Sequence, residues 1–147
     1  MIDKRYVVDD HLLLRILLDD EPSELRPGGG RVFTTGLWYH RLCRSVGDRS
    51  VVGVFSRSLG RAEPSVAAAV IEAVTRLPDS IELLSLRELA WPMASLVDDG
   101  VRLNLMSLEA LAAAEHLEAE LCLAAADENP PLLTAARTRA ATVRLIA

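Results

Sequence analysis

The chain has 147 residues, half of them apolar, and a formal net charge of −5, enough to bury one core and with no sign of a second. Its apolar runs are broken by Glu or His well short of the roughly 18 residues of a membrane span, and Asp3, Asp9 and Asp10 flank the short hydrophobic run where a secretory leader would be cationic and then apolar. One cytoplasmic domain over residues 1–147, with no membrane partner, is the expectation.

Arg5 to Val8 is a short β-rich run, and Leu12 to Leu18 is an apolar helix that Asp9 or Asp10 can cap. Residues 19–30, with Pro22, Pro27 and three consecutive glycines, read as a loop. Arg31 to Thr34 is a second strand, and Gly36 to Val46 a helix turning Trp38, Leu42 and Cys43 inward. Residues 47–61 are ambiguous: Val51 to Phe55 has strand character, while the surrounding Gly, Ser and Arg favour an exposed excursion. Pro64 suits the first turn of a helix through Val70, Ile71 and Val74 to Leu77, stopped by Pro78. Ile81 to Leu84 is a third strand, and Leu86 to Val97 a helix disturbed by Pro92. Ser107 can cap a helix from Leu108 to Leu117 that is apolar on nearly every side and therefore central. Leu121 to Ala125 is a fourth strand, Pro130 to Arg139 a helix, and Thr142 to Ile146 a final strand. Such alternation predicts a parallel sheet with helices on both faces, with Val7-Val8, Val32-Phe33, Ile81-Leu83 and Leu121-Leu123 as buried neighbours.

Charge is unevenly placed. Arg31, Arg41, Arg44, Arg49, Arg57 and Arg61 face only Asp48 in residues 31–61, a cationic stretch in an anionic chain. The general field does not attract nucleic acid, although a local arginine cluster could; the simpler reading is a solvated face paired with acids elsewhere. Cys43 and Cys122 have no second Cys or His at ligand spacing and read as buried free thiols, which argues against zinc.

Three acidic positions stand after apolar runs or at a helix start: Asp9-Asp10, Glu109 and Asp127. In a parallel sheet the carboxyl ends of the strands share one edge, so acids after separate strands can converge on one crevice. Converging carboxylates hold a hard divalent cation, the usual agent of phosphodiester cleavage. Each acid also has a plainer role. Asp9 or Asp10 can simply cap the first helix, Glu109 in a first helical turn gains roughly 0.3–1 kcal/mol from the dipole, and Asp127 before Glu128-Asn129-Pro130-Pro131 suits a turn. The joint placement raises the site above these separate roles. His11, His40 and His116 form no ligand set by spacing, no Ser/His/Asp or Cys/His arrangement is present, and Gly28-Gly29-Gly30 lacks the Lys and Ser/Thr of a phosphate cradle.

The string Tyr6-Val7-Val8-Asp9-Asp10-His11-Leu12-Leu13-Leu14 resembles the opening of a PIN domain, where a strand ends in Asp, any residue, then often Asn. Residues 105–121, with Glu109 opening an alanine-rich helix that leads into a strand, are similar to that family's later block, and Asp127-Glu128-Asn129-Pro130-Pro131-Leu132-Leu133 to its closing block. The whole looks like a small bacterial PIN protein of the kind found as the toxin in toxin–antitoxin pairs. The resemblance implies a three-layer α/β/α sandwich with a mainly parallel sheet, and Mg²⁺- or Mn²⁺-dependent cleavage of RNA. It places the catalytic, metal-holding acids at Asp9, Glu109 and Asp127, with Asp10, Arg41 and Arg44 as accessory residues. It also implies RNA, an antitoxin or another protein as partner, and allows a homodimer. The departures are specific: Arg41 stands closest to the place of an acid in the helix after the second strand, Glu109 replaces the more usual Asp, and His11 replaces Asn. A catalytically degenerate PIN-like binding or regulatory protein is the alternative, and the direction taken by the Arg41 side chain separates the two.

Overall fold

The computed structural model describes residues 3–47, 64–127 and 129–147. In chain order they form β1 (Arg5–Val8), α1 (Asp10–Leu17), β2 (Arg31–Thr35), α2 (Gly36–Gly47), α3 (Pro64–Thr75), β3 (Ile81–Leu84), α4 (Leu86–Asp98), α5 (Leu105–Leu117), β4 (Glu120–Ala124), α6 (Pro130–Thr138) and β5 (Val143–Ile146). The expectation over Val51 to Phe55 lies outside the described residues.

All strand pairings are parallel, in the order β3-β2-β1-β4-β5. Side chains alternate across the pleat and feed two cores. Val7, Phe33, Leu121 and Leu123 meet α4, α5 and α6 on one face, while Tyr6, Val8, Val32, Cys122 and Ala124 meet α1 and α3 on the other. Helix α2 serves both, with Trp38 in the first core and Leu42 in the second. The result is the three-layer α/β/α sandwich. Parallel strands covered on both faces carry continuous apolar runs rather than alternation, as in Tyr6-Val7-Val8 and Leu121-Cys122-Leu123.

Several expectations need correction in detail. Leu83 is 46% exposed, because β3 is an edge strand with a neighbour on one side only. Cys43 is half-buried rather than buried, and both cysteines are free. Helix α5 starts a turn earlier than Ser107 suggests: Asn104 is its N-cap, and its side-chain oxygen accepts from the Ser107 N–H at 2.8 Å. Asn is a strong N-cap, and the apolar neighbours Leu103 and Leu105 conceal it in the sequence. Pro92 removes one N–H from α4, yet the helix continues to Asp98. At the entry to β2, Gly30 has φ +142, and a Cβ there would lie 2.6 Å from the Tyr6 ring and 2.9 Å from the Lys4 carbonyl. Only glycine permits that approach.

β1 lies at the centre of the sheet, with β2 on one side and β4 on the other. The chain leaves β1 for β2 and returns much later beside it as β4, so the carboxyl end of β1 is a topological switch point, where open α/β sheets leave a crevice.

Candidate functional site: an acidic pocket held by an arginine

Asp9 follows β1 at this crevice and is 2% exposed. Its Oδ1 accepts from the Leu12 N–H at 2.9 Å, capping α1 as expected, and its Oδ2 accepts from the Ala124 N–H at 2.8 Å, tying β1 to the end of β4. Burial pushes its pKa up to about 6; the two backbone N–H donors oppose that rise, and the Asp10 charge adds to it.

Asp10, the first residue of α1, is fully buried and meets Arg41 from α2. Arg41 Nε donates to Asp10 Oδ2 at 2.5 Å and Nη2 to Asp10 Oδ1 at 2.6 Å, a two-pronged contact of guanidinium on carboxylate. The same Nη2 donates to Asp127 Oδ2 at 2.9 Å, and His11 Nε2 lies 3.4 Å from that oxygen. The hydrogen bonds to Asp10, and then the charges of Asp10 and Asp127, hold the Arg41 guanidinium firmly protonated. Arg41 reaches Asp10 because α1 and α2 pack side by side against one face of the sheet through Leu12, Leu13 and Leu42.

Asp127 sits in the turn after β4, its N–H donating to the Ala124 carbonyl at 3.1 Å. Asn129 follows as the N-cap of α6 and donates through Nδ2 to Ser107 Oγ at 2.9 Å. A cavity of about 140 Å³ is lined by Asp9, Trp38, Arg41, Ser107, Asp127 and Asn129, with Asn104, Met106 and Leu123. Of the three acids named from the sequence, Asp9 and Asp127 share this cavity. Glu109 is buried on α5 and is not among its lining residues; its Oε1 accepts from the Leu37 N–H at 2.9 Å, at the start of α2.

Among the described residues, the groups whose ligand atoms lie within 4.8 Å of one another are Asp10, His11 and Asp127. Sequence spacing did not expose this set: Asp10 was secondary to Asp9, and His11 belonged to no histidine pattern. The distances suit a metal ion, but the charges do not. Both Asp10 oxygens and one Asp127 oxygen already accept from Arg41, and a divalent cation there would stand beside a fixed positive charge. No buried side-chain nitrogen or oxygen among the described residues lacks a hydrogen-bond partner. With Arg41 in place the residues fit a guanidinium rather than a metal.

A wider groove of about 630 Å³ opens next to Arg41, between α2 and the start of α5. Leu37, Leu105 and Met106 supply apolar surface, and His40 and Arg44 supply polar and cationic groups.

No protein-family model and no curated protein matches the chain by sequence. Among solved structures, a chain of VapBC-1 from nontypeable Haemophilus influenzae, determined at 2.2 Å, matches with a TM-score of 0.54 and 14% identity, over 95% of this chain and 96% of that one. The likeness covers nearly the whole of both chains and is one of fold.

Proposed function

We propose that this chain is a PIN-like binding protein whose acidic pocket is closed from within by Arg41, and that it acts by holding a protein partner rather than by cutting RNA. The observation that carries this reading is the Arg41 fork, which joins Asp10 and Asp127 through three hydrogen bonds and answers with one fixed charge the demand a cation would otherwise meet. The neighbouring fold comes from a VapBC toxin–antitoxin complex, which supports a partner of the antitoxin type. The groove beside Arg41 suits a segment with apolar side chains for Leu105 and Met106 and an acidic group for Arg44.

The second reading is a Mg²⁺- or Mn²⁺-dependent endoribonuclease with Asp9, Glu109 and Asp127 as its acids. It is favoured by the gathering of Asp9 and Asp127 on one cavity and requires Arg41 to leave that cavity. Mn²⁺ calorimetry and cleavage of single-stranded RNA separate the two. Under the first reading the wild type gives neither heat nor cleavage, and Arg41→Glu gains Mn²⁺ binding, seen as a melting temperature that rises with added Mn²⁺. Metal-dependent cleavage by the wild type, abolished in Asp9→Asn, would establish the nuclease instead. Cleavage that survives Asp9→Asn would sink both assignments of this pocket.

A further inference from the structure

Helix α4 closes at Gly100, which takes φ +90, and the Val101 N–H returns to the Leu96 carbonyl at 3.0 Å. A left-handed glycine of this kind ends a helix and redirects the chain, here alongside α6. Asp99 accepts from Arg139 at the C-terminal end of α6, at 3.3 Å, while Asn104 and Asn129, at its N-terminal end, line the acidic pocket together. Residues 99–103 therefore run beside α6 in the opposite direction, and between the two lies a separate cleft of about 550 Å³. It shares no lining residue with the acidic pocket or with the groove beside Arg41.

Val101, Leu103 and Ala135 are half-buried against the first core and give this cleft an apolar floor, continued by Pro130 and Pro131 at the start of α6. Thr134 and Thr138 line it one turn apart on α6. Neither hydroxyl has a hydrogen-bond partner among the described residues, and the Arg102 guanidinium on the opposite wall forms no ion pair there. The acid of the lining, Asp99, is engaged by Arg139, which also holds Glu115 at 2.6 and 2.9 Å. What the cleft leaves unengaged is thus one permanent cation and two hydroxyls, all able to donate, beside apolar surface. A few converging polar groups over an apolar lining, in a cavity of this size, are the make-up of a small-molecule site. We propose that the cleft binds a small organic acid, an apolar ring or chain ending in one carboxylate. The carboxylate is held by Arg102 and the two threonine hydroxyls, and the apolar body lies against Val101, Leu103 and Ala135. Arginine matches a carboxylate with two parallel N–H donors, and a single free cation calls for a single negative charge. The site does not depend on how the acidic pocket is read.

Naphthalene-2-carboxylate and octanoate, titrated separately into the full chain with backbone amide resonances as the reading, test this. Both should move the amides of residues 101–103 and 134–138 and saturate with a Kd on the order of 1 mM, as suits about a dozen heavy atoms. Naphthalene-2-carboxamide, with the same ring and no charge, should at equal concentration shift them by about a third as much or less, in wild type and Arg102→Met alike. Arg102→Met, which keeps the apolar stem and loses the charge, should weaken the carboxylate by about fivefold or more. Thr134→Phe, which fills the cleft, should abolish binding of both acids. Both substituted positions are exposed, and circular dichroism confirms that each variant is folded. The proposal is overturned if neither acid gives saturating shifts at these residues, if carboxylate and carboxamide bind equally, or if Arg102→Met leaves the carboxylate unchanged. Shifts confined to residues 37–45 would put the acid in the groove beside Arg41 and overturn it as well.

Discussion

Asp9 is a carboxyl group that the fold both needs and resists. Two backbone N–H groups require an acceptor there, yet burial opposes its charge and lifts its pKa from 3.8 to about 6. For an acid raised on folding, the native state binds the proton more tightly than the unfolded chain does between those two values. Its contribution to stability is therefore largest below the lower value, declines as pH rises through the window, and is fully lost above about 6. That direction is the reverse of an ordinary salt-bridged aspartate. Asp9→Asn cannot ionise, so the stability of wild type minus that of Asp9→Asn should fall, by an amount on the order of 2–3 kcal/mol, as pH rises through the window. Urea midpoints at successive pH values measure it, and parallel curves for the two proteins would contradict the raised pKa. Asp10 next door pairs with Arg41. The sequence shows Asp9 as a cap because a cap is local. It does not show which of two adjacent acids an arginine 31 residues later will reach, since that depends on how α1 and α2 pack.

Helix α2 begins with Gly36 and has no acid in its first turn. Thr35 Oγ1 accepts from the Trp38 N–H at 3.4 Å, and the acceptor for the Leu37 N–H comes from another element, Glu109 on α5. A carboxylate aimed at a helix N-terminus meets both the unpaired N–H and the dipole. Glu109 thus fixes the helix that carries Arg41. Glu109→Ala should destabilise the protein by about 2 kcal/mol, combining a lost cap and a buried donor left alone. Glu109→Gln, which keeps an acceptor and loses the charge, should cost about 1 kcal/mol or less. Chemical denaturation reads both, and equal losses would mean that the charge, not the hydrogen bond, matters there. The elements themselves were legible because Pro, Gly and the apolar runs punctuate this chain clearly, from Pro64 to the Pro130-Pro131 start of α6. The role of Glu109 was not, because its position in the chain suggested a first-turn charge favourable to the dipole of its own helix while its side chain serves a different one.

At the scale of the molecule, one sheet separates two cores, joined by the alternation of side chains along the strands and by helix α2, which puts Trp38 in one core and Leu42 in the other. We expect these residues to form a single cooperative domain, since no strand can leave the sheet without exposing both cores. Two natural probes report on the two sides: Trp38 in the core beneath α4 and α5, and Cys122 in the core beneath α1 and α3. Burial also raises the Cys122 thiol pKa to about 11, so it is unreactive while the sheet is intact. With Trp91→Phe and Cys43→Ser removing the competing signals, Trp38 emission, Cys122 labelling and far-ultraviolet circular dichroism should give one urea midpoint, with a shared slope of about 1–3 kcal/mol/M. If Cys122 became reactive well before the Trp38 signal moved, the α1 and α3 layer would be opening by itself. Asp10 and Arg41 would then part in a partly unfolded state, and the closure of the acidic pocket would follow the stability of that layer rather than of the whole protein.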